Sequence, residues 1–311
     1  MVPLAAQPVL EITTFGLAQG AVFALLALGL VLIYRTTGVT NFAHWGIGLM
    51  GLTGYFLLSS KADAPPGLAA AIAIGVSGLA GWLAYHLVFR RVQRNNQVVL
   101  ILIALSVGQF MTAVSTIGFG FESTTIVEPW LPVSRIHVGH AVLLSTQVIA
   151  AASAIGIALV FLPWFRYSRT GKALRAVAQN REAASLAGID EHRYSGIAWA
   201  LGSALAGLAL LLIVPHATGE RGGLITPNET TPLGILLIPA FGAALVGGLV
   251  NLPMAVVGGF LFGVAQNMML LAPQPWNRLR DVTAAILIVV LLLARTERFF
   301  VTRSELEALE T

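Results

Sequence analysis

The sequence predicts an all-α protein, a polytopic bundle of transmembrane helices that forms one domain over residues 1–311. Hydrophobic residues make up 57% of the chain and charged residues only 10%, whereas a soluble domain has about 25% charged residues. The mean hydropathy is +0.83. Apolar runs recur along the whole chain, and many reach the roughly 20 residues that a helix needs to cross a bilayer.

Apolar windows of about 20 residues identify the candidate spans. These cover residues 10–34, 41–59, 66–89, 97–119, 142–164, 195–214, 233–250, 253–271 and 282–293. The second span is short and rich in glycine, and the seventh and eighth are separated only by Asn251 and Leu252. We therefore expect eight to ten spans with discontinuous Gly-rich helices. The expected helix breaks are Gly46 and, in the second half of the chain, Gly247, Gly248, Asn251 and Pro253.

Two pairs of glycines have the spacing that allows two membrane helices to approach closely. The first pair is Gly16 and Gly20, and the second is Gly259 and Gly263. Because this spacing is common in membrane helices, we interpret both pairs as packing positions rather than as parts of a functional site.

A long polar segment, residues 166–194, holds six of the eighteen Lys and Arg residues. Its pattern predicts two short helices, the first preceded by Gly171 and the second capped by Asn180. Gly188 is expected to end the second helix, and Glu182 lies in its first turn, where the helix dipole favours an anion. The apolar residues of the segment are expected to share one side of it: Leu174, Val177, Leu186 and Ile189.

The charge distribution predicts the orientation. If the polar segment is cytoplasmic, thirteen basic residues lie inside and five lie outside, in agreement with the positive-inside rule. The N-terminus is then outside and the C-terminus cytoplasmic, with a cytoplasmic loop at about 165–194. Two long outer loops, 120–140 and 215–232, would be either a docking surface for an external partner or ordinary connections.

Several classes of function find no support in the residues. No acidic residue lies in the middle of a predicted span, whereas ion-coupled transporters generally need an ionisable group there. Energy for transport would therefore come from elsewhere, yet Gly171-Lys172 lacks the rest of an ATP-binding loop. The chain has no cysteine, and its six histidines have no metal-site or catalytic-triad spacing. We therefore predict no enzyme activity, no metal site and no nucleic-acid partner.

Residues Asn41 and His44 stand at the start of the Gly-rich second span, with Phe42 between them. Polar groups at lipid depth must be satisfied by protein or face a water-filled path, and interrupted helices line the substrate sites of many transporters. Asn41, Phe42 and His44 are therefore candidates for a substrate path. The alternative is that Asn41 and His44 serve only in packing and helix capping.

The segment Glu182-Ala183-Ala184, followed at the usual spacing by Gly188, resembles the EAA loop of ABC import permeases. The wider run TGKALRAVAQNREAASLAGI resembles the permeases for branched-chain amino acids, in particular their shorter, H-type subunit. The stretch around Asn41 resembles a signature of the same family, except that Trp45 separates His44 from Gly46. The alternative for the polar segment is a basic loop that only sets topology.

The resemblance implies a transport subunit in the bacterial inner membrane. Its loop would couple to a separate ATPase through six residues: Arg175, Arg181, Glu182, Ala183, Ala184 and Gly188. The implied partners are a second permease subunit, two cytoplasmic ATPase subunits that bind ATP and Mg²⁺, an external substrate-binding protein and the lipid membrane. No cofactor is expected in this chain. The implied substrates are branched-chain or other hydrophobic amino acids. The alternatives are urea, amides or small organic acids, or an ATP-independent channel or facilitator.

Overall fold

The computed structural model describes residues 7–92, 96–119, 125–127, 130–131, 134–138, 141–217, 223–225 and 236–294. The expected cytoplasmic tail and most of the two long outer loops lie outside these described residues.

Helices dominate the described chain, in agreement with the predicted fold class. In chain order they are α1 Gln7–Thr37, α2 His44–Phe56, α3 Pro66–Ala84, α4 Gln97–Phe119, α5 Ser145–Tyr167, α6 Arg169–Gln179, α7 Arg181–Leu186, α8 Glu191–Ala217, α9 Leu237–Val246, α10 Leu252–Met268 and α11 Arg280–Ala294. The shorter helical turns are Leu57–Lys61, Tyr85–Phe89, Arg90–Val92, Met269–Leu271 and Trp276–Leu279.

Two small antiparallel ladders lie in or beside the two long loops that were expected on the outer side. Strand β1 (Thr125–Val127) pairs with β4 (Gly223–Ile225), with Ile126 opposite Leu224. Strand β2 (Arg135–Val138) pairs with β3 (Ala141–Leu144). The first ladder therefore joins two loops that are far apart in the sequence.

The number of helices long enough to span a membrane is smaller than predicted. Among the described residues, six apolar helices have that length: Val9–Thr37, Pro66–Val92, Gln97–Gly118, Ser145–Tyr167, Glu191–Ile213 and Leu252–Leu271. The expectation of eight to ten spans is thus not confirmed. The other apolar helices are shorter: α2 has 13 residues, α9 has 10 and α11 has 15, against the roughly 20 that a straight crossing requires.

Helix α1 lies at the centre of the bundle. It packs against α5, α8, α9 and α10, and its apolar residues, such as Leu25 and Leu28, have no exposed surface. The peripheral helices differ, because their large apolar side chains are exposed; Leu102 in α4 and Val160 in α5 are examples. A bundle with an apolar exterior and an apolar central helix is the expected arrangement when the surrounding solvent is lipid.

Glycines allow α1 and α10 to touch backbone to backbone. A Cβ atom added to Gly20 would lie only 2.8 Å from the Cα of Phe260. A Cβ atom on Gly263 would overlap the backbone of Gly20, and one on Gly259 would overlap Ala24. This geometry confirms the packing interpretation of both glycine pairs.

Replacing Gly263 with alanine is therefore expected to destabilise the protein. The added methyl group has no space, and overpacking of this kind costs about 1–3 kcal/mol. The measurement is the thermal unfolding midpoint of the full chain in detergent. Gly156→Ala is the matched control, because Gly156 also lies in a long helix but has open space around its Cα. Equal midpoints for the two variants would contradict the packing argument.

Candidate functional site

The two helices of the polar segment are both capped by side chains. The Oγ of Ser168 accepts a hydrogen bond from the backbone N–H of Gly171 at 2.9 Å, so α6 begins at Arg169 and not after Gly171. The Oδ1 of Asn180 accepts one from the N–H of Ala183 at 2.9 Å. The predicted Asn180 cap is confirmed, and it separates α6 from α7 by a single extended residue.

Helix α7 ends at Gly188 as predicted. The φ angle of Gly188 is +79°. Its N–H donates to the carbonyl of Ser185, and the N–H of Ile189 donates to the carbonyl of Ala184, both at 2.9 Å. This pair of bonds is the Schellman arrangement, in which a left-handed residue closes the helix.

The predicted single apolar side of the segment is wrong. Leu174 and Val177 are 0% and 1% exposed and belong to the interior of the protein. They point inward because α6 packs against α1 and α8. Leu186 points outward and is 91% exposed, and Ile189 is partly exposed. Leu186 is therefore a large apolar side chain presented on a polar surface.

The two arginines predicted for coupling do not lie on the outer surface of α7. Arg175 donates a hydrogen bond from Nη1 to the carbonyl of Phe165, and its guanidinium lies 5.8 Å from the centre of the Phe165 ring. Arg181 lines a cavity together with Tyr34 and Gly38. Both side chains thus contact the membrane bundle.

The remaining residues of the EAA-like stretch divide between the surface and the interior. Glu182, Ala183 and Gly188 are exposed, while Ala184 is 4% exposed. The surface available to a partner on α7 is therefore formed by Glu182, Ala183, Ser185 and the protruding Leu186.

The stretch before α2 is an irregular, buried piece of backbone. Gly38 has a φ angle of +68°. Asn41 and His44 are 1% and 0% exposed. The residue that caps α2 is Ala43, and it makes no side-chain cap bond. The interpretation of Asn41 as a capping side chain is therefore wrong, while packing and a substrate path remain as alternatives.

The side-chain polar atoms of Asn41 and His44 lack hydrogen-bond partners among the described residues. Neither the nitrogen nor the oxygen of the Asn41 amide has a hydrogen-bond partner among the described residues. Both ring nitrogens of His44 lack one as well, although the Leu26 backbone is close enough to interact electrostatically with the ring. The His44 ring packs on Gly29 of α1, where an added Cβ would lie 2.7 Å from its Cε1. Buried polar groups without partners are costly, and in transporters they commonly mark substrate paths.

Gly46 does not break a helix, contrary to the prediction. It lies within the first turn of α2, and a Cβ atom there would overlap the carbonyl of Gly108 in α4. The physical role of Gly46 is therefore close helix packing. The irregular backbone lies a few residues earlier, between α1 and α2.

The second irregular stretch joins α9 and α10 at the residues where a break was expected. Gly248 and Leu249 both have positive φ angles, +61° and +59°. The Oδ1 of Asn251 accepts a hydrogen bond from the N–H of Met254 at 3.2 Å and caps α10, whose second residue is Pro253. The left-handed conformation of Leu249 could not be predicted from the sequence, because leucine rarely adopts it.

The two irregular stretches approach one another. The ring of Phe42, from the first stretch, lies 5.7 Å from the ring of Phe241 in α9, the helix that leads into the second. Sequence reasoning missed Phe241, because nothing in a 199-residue separation indicates the contact.

No group of three or more His, Asp or Glu side chains in the described part of the chain is arranged to hold a metal ion. What the arrangement offers is a buried polar stretch inside a bundle and an exposed short helix at its edge.

Comparison with known proteins identifies the family. Residues 12–294 match the family model described as branched-chain amino acid transport system / permease component. The chain belongs to this family. It is thus a permease component of a transport system, and the resemblance of the chain to this family is confirmed.

Individual relatives cover nearly the whole permease. The high-affinity branched-chain amino acid transport system permease protein LivH of Escherichia coli is 28% identical over 295 residues, which is 90% of this chain and 92% of LivH. BraD of Pseudomonas aeruginosa, with the same description, matches at the same identity and coverage. A solved structure described as a metal-chelate type ABC transporter in an inward-facing conformation has a TM-score of 0.50 and 18% identity, covering 94% of this chain and 90% of that one. This likeness supports the fold.

The left-handed end of α7 gives a local prediction for the permease. Gly188→Val is expected to loosen α7, because a β-branched residue at positive φ is strained by roughly 1–2 kcal/mol. Gly188→Asn is the matched control, since Asn tolerates this conformation. No atom beyond the adjacent residues lies within 4 Å of an added Cβ, so the strain is confined to the local backbone. Faster amide hydrogen exchange in α7 of the valine variant alone is the expected result, and equal exchange in both variants would contradict it.

Proposed function

We propose that this permease forms half of the translocation path of an ATP-driven importer for branched-chain or other hydrophobic amino acids. It would pair with a second permease subunit, two cytoplasmic ATPase subunits that bind ATP and Mg²⁺, and an external substrate-binding protein. The support is the family membership and the names of relatives that match over 90% of the chain. The structural observation that carries the proposal is the exposed apolar end of α7.

Helix α7 has the properties of a docking element for an ATPase subunit. Leu186 is 91% exposed, although burying a leucine contributes about 1.5–3 kcal/mol. Glu182 lies in the first turn, where the helix dipole stabilises its charge. Each end of α7 is fixed, by Asn180 at the start and by Gly188 at the finish. A short helix that is rigidly held and exposes an apolar residue is suited to a partner groove.

Leu186→Asp is expected to weaken docking. A carboxylate in the partner groove would lose the burial energy of the leucine, about 1.5–3 kcal/mol, and would also be desolvated. The affinity for the ATPase subunit should therefore fall at least about tenfold. Leu186→Met is the matched control, because it preserves apolar volume. The measurement is subunit stoichiometry and transport-coupled ATP hydrolysis in the complex purified after co-expression with its ATPase subunits. If the aspartate variant keeps full transport-coupled ATP hydrolysis and stoichiometry, α7 is not the docking element.

The buried stretch at Asn41, Phe42 and His44 is the part of the chain that we assign to the substrate path. The side-chain polar atoms of Asn41 and His44 lack hydrogen-bond partners among the described residues. The ring contact of Phe42 with Phe241 joins this stretch to the helix that precedes the second irregular stretch. Groups of this kind are suited to exchange hydrogen bonds with a passing polar substrate.

Asn41→Ala and His44→Ala are expected to change the KM or the maximal rate of uptake while leaving assembly intact. Ser203→Ala is the matched control, because Ser203 is also buried with an unpartnered oxygen but lies at the packed contact of α8 with Gly81. Uptake is measured in proteoliposomes with leucine, urea and a small organic acid, so that the substrate classes are compared directly. Unchanged kinetics in both variants would return Asn41 and His44 to a packing role.

We infer an external N-terminus, a cytoplasmic C-terminus and a location in the bacterial inner membrane. The support is the charge bias together with the grouping of arginines at one end of the bundle, where Arg35, Arg166 and Arg175 line one cavity. At the other end, Glu11 accepts a hydrogen bond from the N–H of Val142 at 2.9 Å. Eight to ten spans require the shorter helices α2, α9 and α11 to cross as well. Reporter fusions at both termini test the orientation, which fails if both ends lie on the same side.

A further inference from the structure

A cavity of about 750 Å³ opens where the end of α1, the end of α5 and the start of α10 meet. Three arginines line it: Arg35, Arg166 and Arg175. A second cavity, of about 390 Å³, shares Arg35 and Val250 with the first and adds Arg181. Together the two cavities, which we call the arginine cavity, are lined by four arginines from four helices, α1, α5, α6 and α7.

The positive charge of the arginine cavity is not balanced by the described residues. No Asp or Glu is among the residues that line either cavity. None of the four arginines forms an ion pair with a carboxylate in the described parts of the chain. Arg35 and Arg175 lie near each other, since their guanidiniums are 5.4 and 5.8 Å from the centre of the same ring, that of Phe165. An arrangement that holds like charges together favours a bound anion.

The start of α10 adds to this preference for an anion. Its capping residue Asn251 and its first two residues, Leu252 and Pro253, form part of the wall. The helix has 17 residues, and the amino end of a helix carries a partial positive charge that favours anions. The guanidiniums supply the charge-assisted donors that suit phosphate oxygens.

The rest of the wall is apolar and opens at the edge of the bundle. Leu162 and Pro163 of α5 line the cavity beside the arginines. Tyr167, at the end of α5, also lines it and is exposed, as is typical of an aromatic residue at a membrane surface. A charged floor beside an apolar wall, at the end of membrane helices, matches a headgroup joined to acyl chains.

We propose that the arginine cavity binds a phosphate group, and that its source is the headgroup of an anionic phospholipid from the surrounding leaflet. The arginines hold the phosphate, the dipole of α10 favours its negative charge, and the α5 wall contacts the upper part of the acyl chains. The lipid then neutralises charge at the point where the polar segment joins the bundle.

The test is native mass spectrometry of the full chain in neutral detergent with equal amounts of dioleoyl-phosphatidylglycerol and dioleoyl-phosphatidylcholine. A third arm adds millimolar inorganic phosphate as a competitor. The unaltered chain is expected to retain phosphatidylglycerol about tenfold better than phosphatidylcholine. Arg35→Gln and Arg166→Gln are each expected to reduce this preference about threefold to fivefold. Arg175 is left unchanged, because its hydrogen bond to Phe165 holds α6 in place.

Arg169→Gln is the matched control. Arg169 is exposed on the same segment but lines neither cavity, so its replacement should leave the lipid preference unchanged. If Arg35→Gln proves unstable, the test rests on Arg166→Gln, because Arg166 is exposed and its replacement should not affect folding. Each variant is first checked for an unchanged elution volume and thermal midpoint.

Four results would overturn the proposal. The first is that the unaltered chain shows no preference between the two lipids. The second is that Arg169→Gln reduces the preference as much as Arg166→Gln does, which would mean that the preference depends on general surface charge and not on the cavity. Inorganic phosphate binding without any lipid retention would make soluble phosphate the source and reject the lipid. Retention of the full lipid preference by both Arg35→Gln and Arg166→Gln would show that these arginines do not hold the headgroup. Because the lipid assay uses neither substrate nor ATP, its failure is distinct from failure of the importer proposal.

Discussion

The backbone contact between α1 and α10 is the interaction on which the remaining structure depends. In a bilayer, apolar side chains gain nothing by leaving lipid for one another, so close approach and complementary packing must hold helices together. Gly20 and Gly263 make this approach possible, since a Cβ at either position would meet the other helix. With α10 seated so closely, α5, α8 and α9 enclose the rest of α1. The end of α1 thereby fixes the position of Arg35 and of the irregular stretch that follows.

That central pairing also brings the two irregular stretches together. One follows α1 directly, and the other precedes α10, so the helices that pack most closely each carry an irregular stretch at the same end of the bundle. Val250 of the second stretch lines a cavity with Gly38 of the first, and Phe42 meets Phe241. Backbone irregularity in a membrane protein is tolerated where protein or water surrounds it, and here each stretch is buried in part and lines a cavity in part.

Local rules predicted the parts of the structure that local interactions determine. The cap at Asn180 and the left-handed end at Gly188 depend only on neighbouring backbone groups, and both are present. The direction in which α6 faces was mispredicted, because Leu174 and Val177 pack toward α1 and α8 and not along a shared side of the polar segment. Gly46 has the same explanation, since its partner Gly108 is in another helix. The proximity of Arg35 to the polar segment likewise could not be predicted from the sequence, because it depends on how separate helices pack.

The inward attachment of α6 gives the polar segment a mechanical role that an exposed loop would lack. Leu174 and Val177 fix α6 to the interior, and Arg175 ties it to the carbonyl of Phe165 at the end of α5. Of these two helices α7 is the more exposed, and its first residue, Arg181, places Nη2 3.7 Å from the position of a Cβ on Gly38. The start of α7 therefore lies beside the first irregular stretch, while its last residue is the exposed Leu186. A short helix in this position is fixed to the bundle at one end and available to a partner at the other.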